Sequence, residues 1–403
     1  RMRGFRSRAD VQDVIEWLDG RGLPREMETV SLAAAAGRVL AASVTSEVNV
    51  PPFRRAAMDG WAVRGEETFG ATVGDPLTLH LIGESMPGAP YGGGIAKGEA
   101  IRIMTGAEVP ADCDAVLRAE DGEERGDVLS IREPVAPERH VAKPGEDVKA
   151  GDTLLPQGRR LRPQDLGLAA SIGHGTLPVW RRPRVSILAT GDELLAPGEK
   201  PDGVRIVDSN SPMLAALVVR DGGEVIEAVR VADGEDNVRH AMQAAKGDVV
   251  LISGGSSVGK EDHAPRLLAE LGTVAFHGVA MRPAAPSGVG HIGDSHVFLL
   301  PGNPVSCLSA YDTFAARVIR RFHGLRSAAP YRTVRAPLTA SITSVLGRLD
   351  YVRATYEGER ITPIMTTGAS LLSSVVRADG FVWVPAGSEG HPEGAEVEIH
   401  LYA

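Results

Sequence analysis

Asp248-Val-Val-Leu-Ile-Ser-Gly-Gly-Ser-Ser-Val-Gly-Lys260 reads as an apolar strand running into a glycine-rich turn, and His296-Val-Phe-Leu-Leu-Pro-Gly-Asn-Pro-Val-Ser-Cys-Leu308 repeats the pattern about fifty residues later. Glycine lets a ligand approach the backbone, and the free N–H groups of the turn and of the helix behind it point at whatever binds there. Two such turns side by side suit an elongated, phosphate-bearing ligand lying across the carboxyl edge of a parallel sheet. Gly254, Gly259 and Lys260 imitate a P-loop, but Glu261 stands where a Mg-binding Ser or Thr is required, and the next helix is expected only at Pro265. An ordinary NTPase is therefore not the reading. Taken singly, either turn is also explained as a tight strand-to-helix connection.

Working outward, strands and helices alternate: strand 185–189, helix 212–219, strand 224–231, helix 235–245, strand 249–253, helix 265–271, strand 297–300 and helix 305–322. That spacing predicts right-handed βαβ units and a doubly wound, mostly parallel α/β domain over 184–328. Upstream, Val11, Val14, Ile15 and Leu18 form a helical stripe, and 32–39 is expected to resume it. Residues 51–151 are short-stranded and punctuated by Gly and Pro, a β-rich insertion domain. A helix at 161–170 is expected to pack with the N-terminal helices, giving a discontinuous helical linker domain of 1–50 plus 152–183. Residues 329–403 are strand-like, a small C-terminal all-β domain. The chain is thus predicted to be a multidomain α/β protein.

The 403 residues are 43% hydrophobic and 24% charged with 4% aromatics, 47 Gly and 27 Pro, the balance of a globular protein rich in turns. A net charge of −9 argues against nucleic acid as a partner. Arg1, Arg3, Arg6 and Arg8 read as a solvated basic tail. Cys113 and Cys307 are too few and too far apart for a disulfide framework or a zinc site, which fits a reducing, cytoplasmic setting. No apolar run reaches membrane-spanning length, and the first residues contain no apolar signal core. His263, His277, His291 and His296 lack metal-ligand spacing.

Acidic residues fall at strand ends: Glu193 in Thr190-Gly-Asp-Glu193, Asp208 in Asp208-Ser-Asn210, Asp233, and Asp262 beyond the first glycine turn. Loops there converge on one rim, so such carboxylates can hold Mg²⁺ against phosphate oxygens. Asp208 and Asp233 are equally placed to cap the helices that follow them. Glu193 and Asp262, each following a glycine turn on the ligand rim, are read as functional.

Five segments in order carry a family resemblance: Pro52-Phe-Arg-Arg-Ala-Ala-Met-Asp-Gly-Trp-Ala-Val63, Ile101-Arg-Ile-Met-Thr-Gly-Ala107, Ala189-Thr-Gly-Asp-Glu-Leu194, Ser253-Gly-Gly-Ser-Ser-Val-Gly259 with Asp262, and Leu300-Pro-Gly-Asn-Pro-Val-Ser306. Over nearly its whole length the chain resembles the molybdopterin molybdenumtransferases, bacterial MoeA and the E domain of gephyrin. The resemblance implies a four-part elongated subunit, a homodimer, and insertion of molybdate into adenylylated molybdopterin with release of AMP. It also implies a pterin site in the α/β domain, completed by the insertion from the partner subunit. Carried over, it gives catalytic parts to Asp59, Thr105, Glu193 and Asp262, metal binding to Glu193, Asp233 and Asp262, and ligand binding to Gly191, Asp208, Ser253, Gly254, Gly255, Ser256 and Gly259. Pro301, Gly302, Asn303 and Pro304 form the second ligand turn, its shape fixed by its prolines. Arg282 stands where the family usually has the first lysine of Lys-Pro-Gly-Lys-Pro, and Arg348 and Arg353 match an arginine segment thought to hold molybdate; forked fixed charge is what an oxyanion needs.

Four features depart from the family pattern: Arg54-Arg55-Ala56 in place of Asp-Asn-Ser, Trp61 in place of Tyr, Ala285 in place of the second lysine, and Gly368-Ala-Ser370 in place of Gly-Ser-Gly. They keep open the alternative of a gephyrin-like scaffold or paralogue that binds a protein partner without inserting metal. The sequence does not distinguish molybdate from tungstate.

Overall fold

The computed structural model describes residues 8–256, 263–365 and 367–402. They form two compact units, Thr29–Pro178 and the described parts of Arg1–Glu28 with Val179–Ala403.

The larger unit is built on a six-stranded sheet ordered Glu224–Val231, Arg184–Thr190, Val249–Ser253, Ser295–Leu300, Gly288–Ile292 and Thr273–His277. The first four are parallel, and Gly288–Ile292 is antiparallel to both its neighbours, Ser295–Leu300 and Thr273–His277. Alternate residues of one strand enter different cores. Val249, Leu251, Phe298 and Leu300 face helices Asn210–Arg220 and Ala316–Phe322, while Val250, Ile252, Val297 and Leu299 face Glu235–Ala244 and Ala264–Leu271. Both faces are covered, which is why the central strands are continuous apolar runs rather than alternating ones. Each such side chain contributes about 1.5–3 kcal/mol on burial, so the strand ends are a rigid base for the loops they carry.

The two antiparallel strands were not expected from the sequence. Gly288-Val-Gly-His-Ile292 lacks a β-branched run, and its glycines are there for packing. A Cβ on Gly290 would meet the Thr273 carbonyl oxygen at 2.1 Å. The helix expected over 305–322 is interrupted by a π-helical turn, Tyr311–Ala315, which buries Asp312 against Arg220 and Tyr331.

Helix Val11–Gly20, capped by Asp10, buries Val11, Val14 and Leu18 against this sheet's Phe314 side. Of the N-terminal helices expected to pack with the helix found at Pro163–Ser171, it is Leu32–Ala35 that does so, while Val11–Gly20 packs here. The helix expected at 32–39 is only Leu32–Ala35, preceded by strand Met27–Ser31.

The terminal sheet runs Met281–Arg282, Leu349–Glu357, Gly380–Val384, Glu396–Leu401 and Arg332–Pro337, with Arg360–Met365 paired to Leu349–Glu357. Its first strand comes from the α/β segment, parallel to the second, with Arg282 beside Asp350. The smaller unit holds a sheet ordered Ala115–Arg118, Gly60–Val63, Glu99–Ile103, Leu77–Ser85, Val128–Ile131 and Gly122–Arg125. Among the described residues, no helix is long and apolar enough to cross a membrane.

Candidate active site

Sheet register brings the two glycine turns together. Ala189, Ser253 and Leu300 are lateral neighbours, so Thr190, Gly254 and Pro301 leave the sheet at one level. Gly254 adopts φ +94°, where a Cβ would lie 2.6 Å from the Thr190 carbonyl oxygen. Its N–H donates to the Leu300 carbonyl at 3.1 Å, and a Cβ on Gly302 would sit 3.5 Å from the Gly254 Cα. Asn210, at the start of helix Asn210–Arg220, joins the turns: its Nδ2 donates to Ser253 Oγ at 2.8 Å and to the Gly302 carbonyl at 2.7 Å. On the far side, His277 Nε2 lies 2.8 Å from the Ser256 carbonyl; a carbonyl only accepts, so that nitrogen carries the proton.

These loops enclose a cleft of about 700 Å³. It gathers Gly191, Glu193, Asp208, Asp233, Ser253, Gly254, Gly255 and Ser256 with Pro301, Gly302, Asn303 and Pro304. The Glu193 carboxylate folds back over Gly191, where a Cβ would come within 2.6 Å of it. Asp233 is pinned by reciprocal bonds: its N–H donates to Asp192 Oδ1 at 2.8 Å, and the Asp192 N–H donates to Asp233 Oδ2 at 3.2 Å. Asp208 is buried and does what a cap does, its Oδ1 accepting from the N–H groups of Asn210 at 3.1 Å and Ser211 at 3.0 Å. The described lining has carboxylates and backbone donors but neither Lys nor Arg.

A second cleft of about 430 Å³ adjoins the first and shares Pro286, Pro301 and Asn303 with it. Its charge is opposite: Arg8, Arg282, Arg348 and Arg353 line it. Asp350, 1% exposed, sits behind, bonded by Arg282, by Arg348 Nε at 2.7 Å and by Ser344 Oγ at 2.8 Å. Arg353 is itself 1% exposed, with one bond to the Thr367 carbonyl. Burial lowers the pKa of its guanidinium from the ordinary value. Arg353 is therefore no surface ion-pair residue, and Arg282 and Arg348, partly buried, pair with a buried carboxylate. One carboxylate holds two guanidiniums in place and leaves the cleft with surplus positive charge.

In the smaller unit Asp59 and Thr105 are bonded: the Thr105 N–H and hydroxyl each donate to Asp59 Oδ1 at 2.7 Å, the hydroxyl first and the amide second holding that carboxylate below its usual range. Gly60 follows because a Cβ there would meet the Leu117 carbonyl at 1.9 Å. Gly259 and Asp262 lie outside the described residues, as does the stretch resembling a P-loop beyond Ser256. Among the described residues no group of three or more His, Cys, Asp or Glu side chains is placed to hold a metal ion. Burial pushes the Cys113 and Cys307 thiols up to about 12, which disfavours the thiolate.

Three family models match in order: the MoeA N-terminal region (domain I and II) over 8–173, the "Probable molybdopterin binding domain" over 186–321, and the MoeA C-terminal region (domain IV) over 335–402. The chain is 38% identical to molybdopterin molybdenumtransferase 2 of Mycobacterium tuberculosis, covering 83% of this chain and 85% of the relative. It is 33% identical to the molybdopterin molybdenumtransferase of Haemophilus influenzae, over 89% and 90%. A solved structure of the molybdopterin biosynthesis MoeA protein from Pyrococcus horikosii superposes with a TM-score of 0.85 at 32% identity, covering 98% of this chain and all of that one. The chain belongs to the MoeA family.

Set against the MoeA segments read from the sequence, the site contains residues that reading did not single out. Asn210 was visible as one of three polar residues before an apolar helix; Asp208 suffices as cap, and the surplus Asn was the available signal. Asp350 lay inside the arginine segment with no sign that it would hold Arg282, 68 residues away. Arg8 was read as tail, yet Ala9 is bridged to Val279.

Proposed function

We propose that this MoeA-family chain is a molybdopterin molybdenumtransferase, inserting molybdate into adenylylated molybdopterin with release of AMP. The observation that carries the reading is the pair of adjoining clefts with opposite chemistry. The first offers glycine-turn N–H groups and carboxylates to a phosphate-bearing pterin, the second offers guanidiniums to an oxyanion, and both share the wall of Pro301 and Asn303. Two substrates that must react are thereby held side by side, which removes the entropic cost of their encounter.

In this reading Glu193 and Asp233, with Asp262, would hold Mg²⁺, and the ion would supply positive charge to offset that of the phosphoanhydride. What supports this is that Glu193 and Asp233 line the first cleft, whose described lining has no cation of its own. Asn210 keeps the two turns at fixed separation, so their N–H groups are preorganised for the ligand. Arg282, Arg348 and Arg353 bind molybdate through forked donors. Asp59 and Thr105 take the catalytic part that the family resemblance gives them. A cytoplasmic homodimer completes the reading.

The test is a purified-component assay: molybdate-dependent release of AMP from adenylylated molybdopterin, with binding of that nucleotide measured separately. Release that requires both molybdate and Mg²⁺ is expected. Binding of the nucleotide without release under any molybdate or tungstate concentration, unrelieved by Ala285→Lys, would overturn the enzyme reading in favour of a scaffold.

A further inference from the structure

Three extended segments lie side by side at the arginine cleft. Ala9 is clasped along one edge by the segment around Val279, its N–H donating to the Gly278 carbonyl at 2.9 Å and its carbonyl accepting from Ala280 N–H at 2.8 Å. Ala280 in turn accepts from the Leu349 N–H at 2.9 Å, and Met281–Arg282 continues in parallel register with Leu349 and Asp350. Each segment carries an arginine within two residues of these clasps: Arg8 on the first, Arg282 on the second, Arg348 on the third. All three line the same cleft, together with the buried Arg353.

The four differ in what holds them. Asp350 binds Arg282 and Arg348, and the Thr367 carbonyl binds Arg353. Arg8 is exposed, and its anchorage is the backbone clasp of its neighbour. Ala285, an uncharged residue, lines the same cleft. The geometry points to Arg8 as an oxyanion-binding residue of this cleft: the N-terminal segment delivers a fourth guanidinium to a tetrahedral dianion of the molybdate class, on the wall where Ala285 supplies no charge. A guanidinium not committed to a carboxylate is free to turn both fork donors to the guest. The inference rests on the reading of this cleft as the molybdate site.

The experiment titrates the purified full-length protein with sodium molybdate by calorimetry, for wild type, Arg8→Ala, Arg8→Lys and Arg282→Ala, at low and at high salt, with circular dichroism as the check on folding. Arg8→Ala is expected to raise the Kd about three- to tenfold, the worth of a partly exposed charge-assisted contact. Arg8→Lys should recover part of that loss, and high salt should narrow the gap between wild type and Arg8→Ala, because an exposed charge is screened. If Arg282→Ala weakens binding and Arg8→Ala does not, the role of Arg8 is wrong while the cleft assignment stands. If neither variant changes the Kd, or wild type binds no molybdate, the cleft assignment itself falls and takes this inference with it.

Discussion

Asn210 Nδ2 donates to the Gly302 carbonyl oxygen at 2.7 Å, across 92 residues of sequence, and the same nitrogen reaches Ser253 Oγ on the neighbouring strand end. The staple fixes the distance between two loops that the sequence supplies separately. Asn210→Ala removes both bonds and takes the donor from buried Ser253 Oγ and from the part-buried Gly302 carbonyl, an expected loss of about 1–2 kcal/mol. Asn210→Asp should be no better, because a carboxylate cannot donate to a carbonyl. Urea unfolding and titration with the pterin nucleotide check both; unchanged nucleotide affinity in Asn210→Ala would mean that the turns hold their spacing without it.

Gly254 and Gly302 look alike in sequence and should respond differently to alanine. At Gly254 the added Cβ meets backbone at 2.6 Å and the residue sits at φ +94°, so Gly254→Ala is expected to lose at least about 1–2 kcal/mol. At Gly302 the nearest atom is 3.5 Å away, an ordinary contact, and stability should change by less than about 0.5 kcal/mol. Thermal unfolding of the pair is decisive; equal losses would sink the steric account.

Glu193 is exposed on the cleft wall, so Glu193→Gln should leave stability within about 0.5 kcal/mol of wild type. Turnover should fall by about a hundredfold or more, the scale of losing an electrostatic contact made in the transition state. Rates measured across a Mg²⁺ series test the metal assignment: a variant that matches wild type at every Mg²⁺ concentration would refute it.

His296 is buried beside Phe322, and desolvation pushes its pKa down to about 4 from an ordinary 6.5, with the nearby Arg21 charge acting in the same direction. The folded state therefore binds fewer protons than the unfolded chain between those values, so stability is full above pH 6.5 and declines toward pH 4. The decline is on the order of 3 kcal/mol. His296→Leu should flatten that limb. Denaturation midpoints at pH 7 and pH 4.5 measure it, and an unchanged acid slope in the variant would exclude His296 as the source.

Ala284 holds φ +93° at the floor of the arginine cleft, a conformation disfavoured for any residue with a Cβ. Ala284→Gly should relieve about 1–2 kcal/mol of strain against about 0.4–1 kcal/mol of added unfolded-chain entropy, a modest net gain in Tm. A lower Tm would show that the methyl group's packing outweighs the backbone strain.

The parallel sheet, its helices and the two glycine turns were legible in the sequence because they follow from local periodicity. Runs such as Val249-Val-Leu-Ile252 declare a strand buried on both faces, and glycine declares where the backbone must turn or approach. The candidate carboxylates Glu193 and Asp233 were legible too, since strand ends in such a sheet converge on one rim whatever the loops contain. The antiparallel pair Thr273–His277 and Gly288–Ile292 was not, because its glycines answer to backbone packing across the sheet rather than to any pattern along the chain.

What only the tertiary structure decided is pairing at long range. Val11–Gly20 is amphipathic in sequence, but which surface takes its apolar stripe depends on Phe314 and its neighbours some 300 residues on. Arg282 and Arg348 are read from sequence as charges; that one buried carboxylate, Asp350, orients both is a property of the parallel bridge between Met281–Arg282 and Leu349–Asp350. Local pattern fixes which face of an element is apolar and where the backbone can bend. The partner of a polar group is set by which segments the folded chain lays side by side, and no period of 2 or 3.6 residues records that.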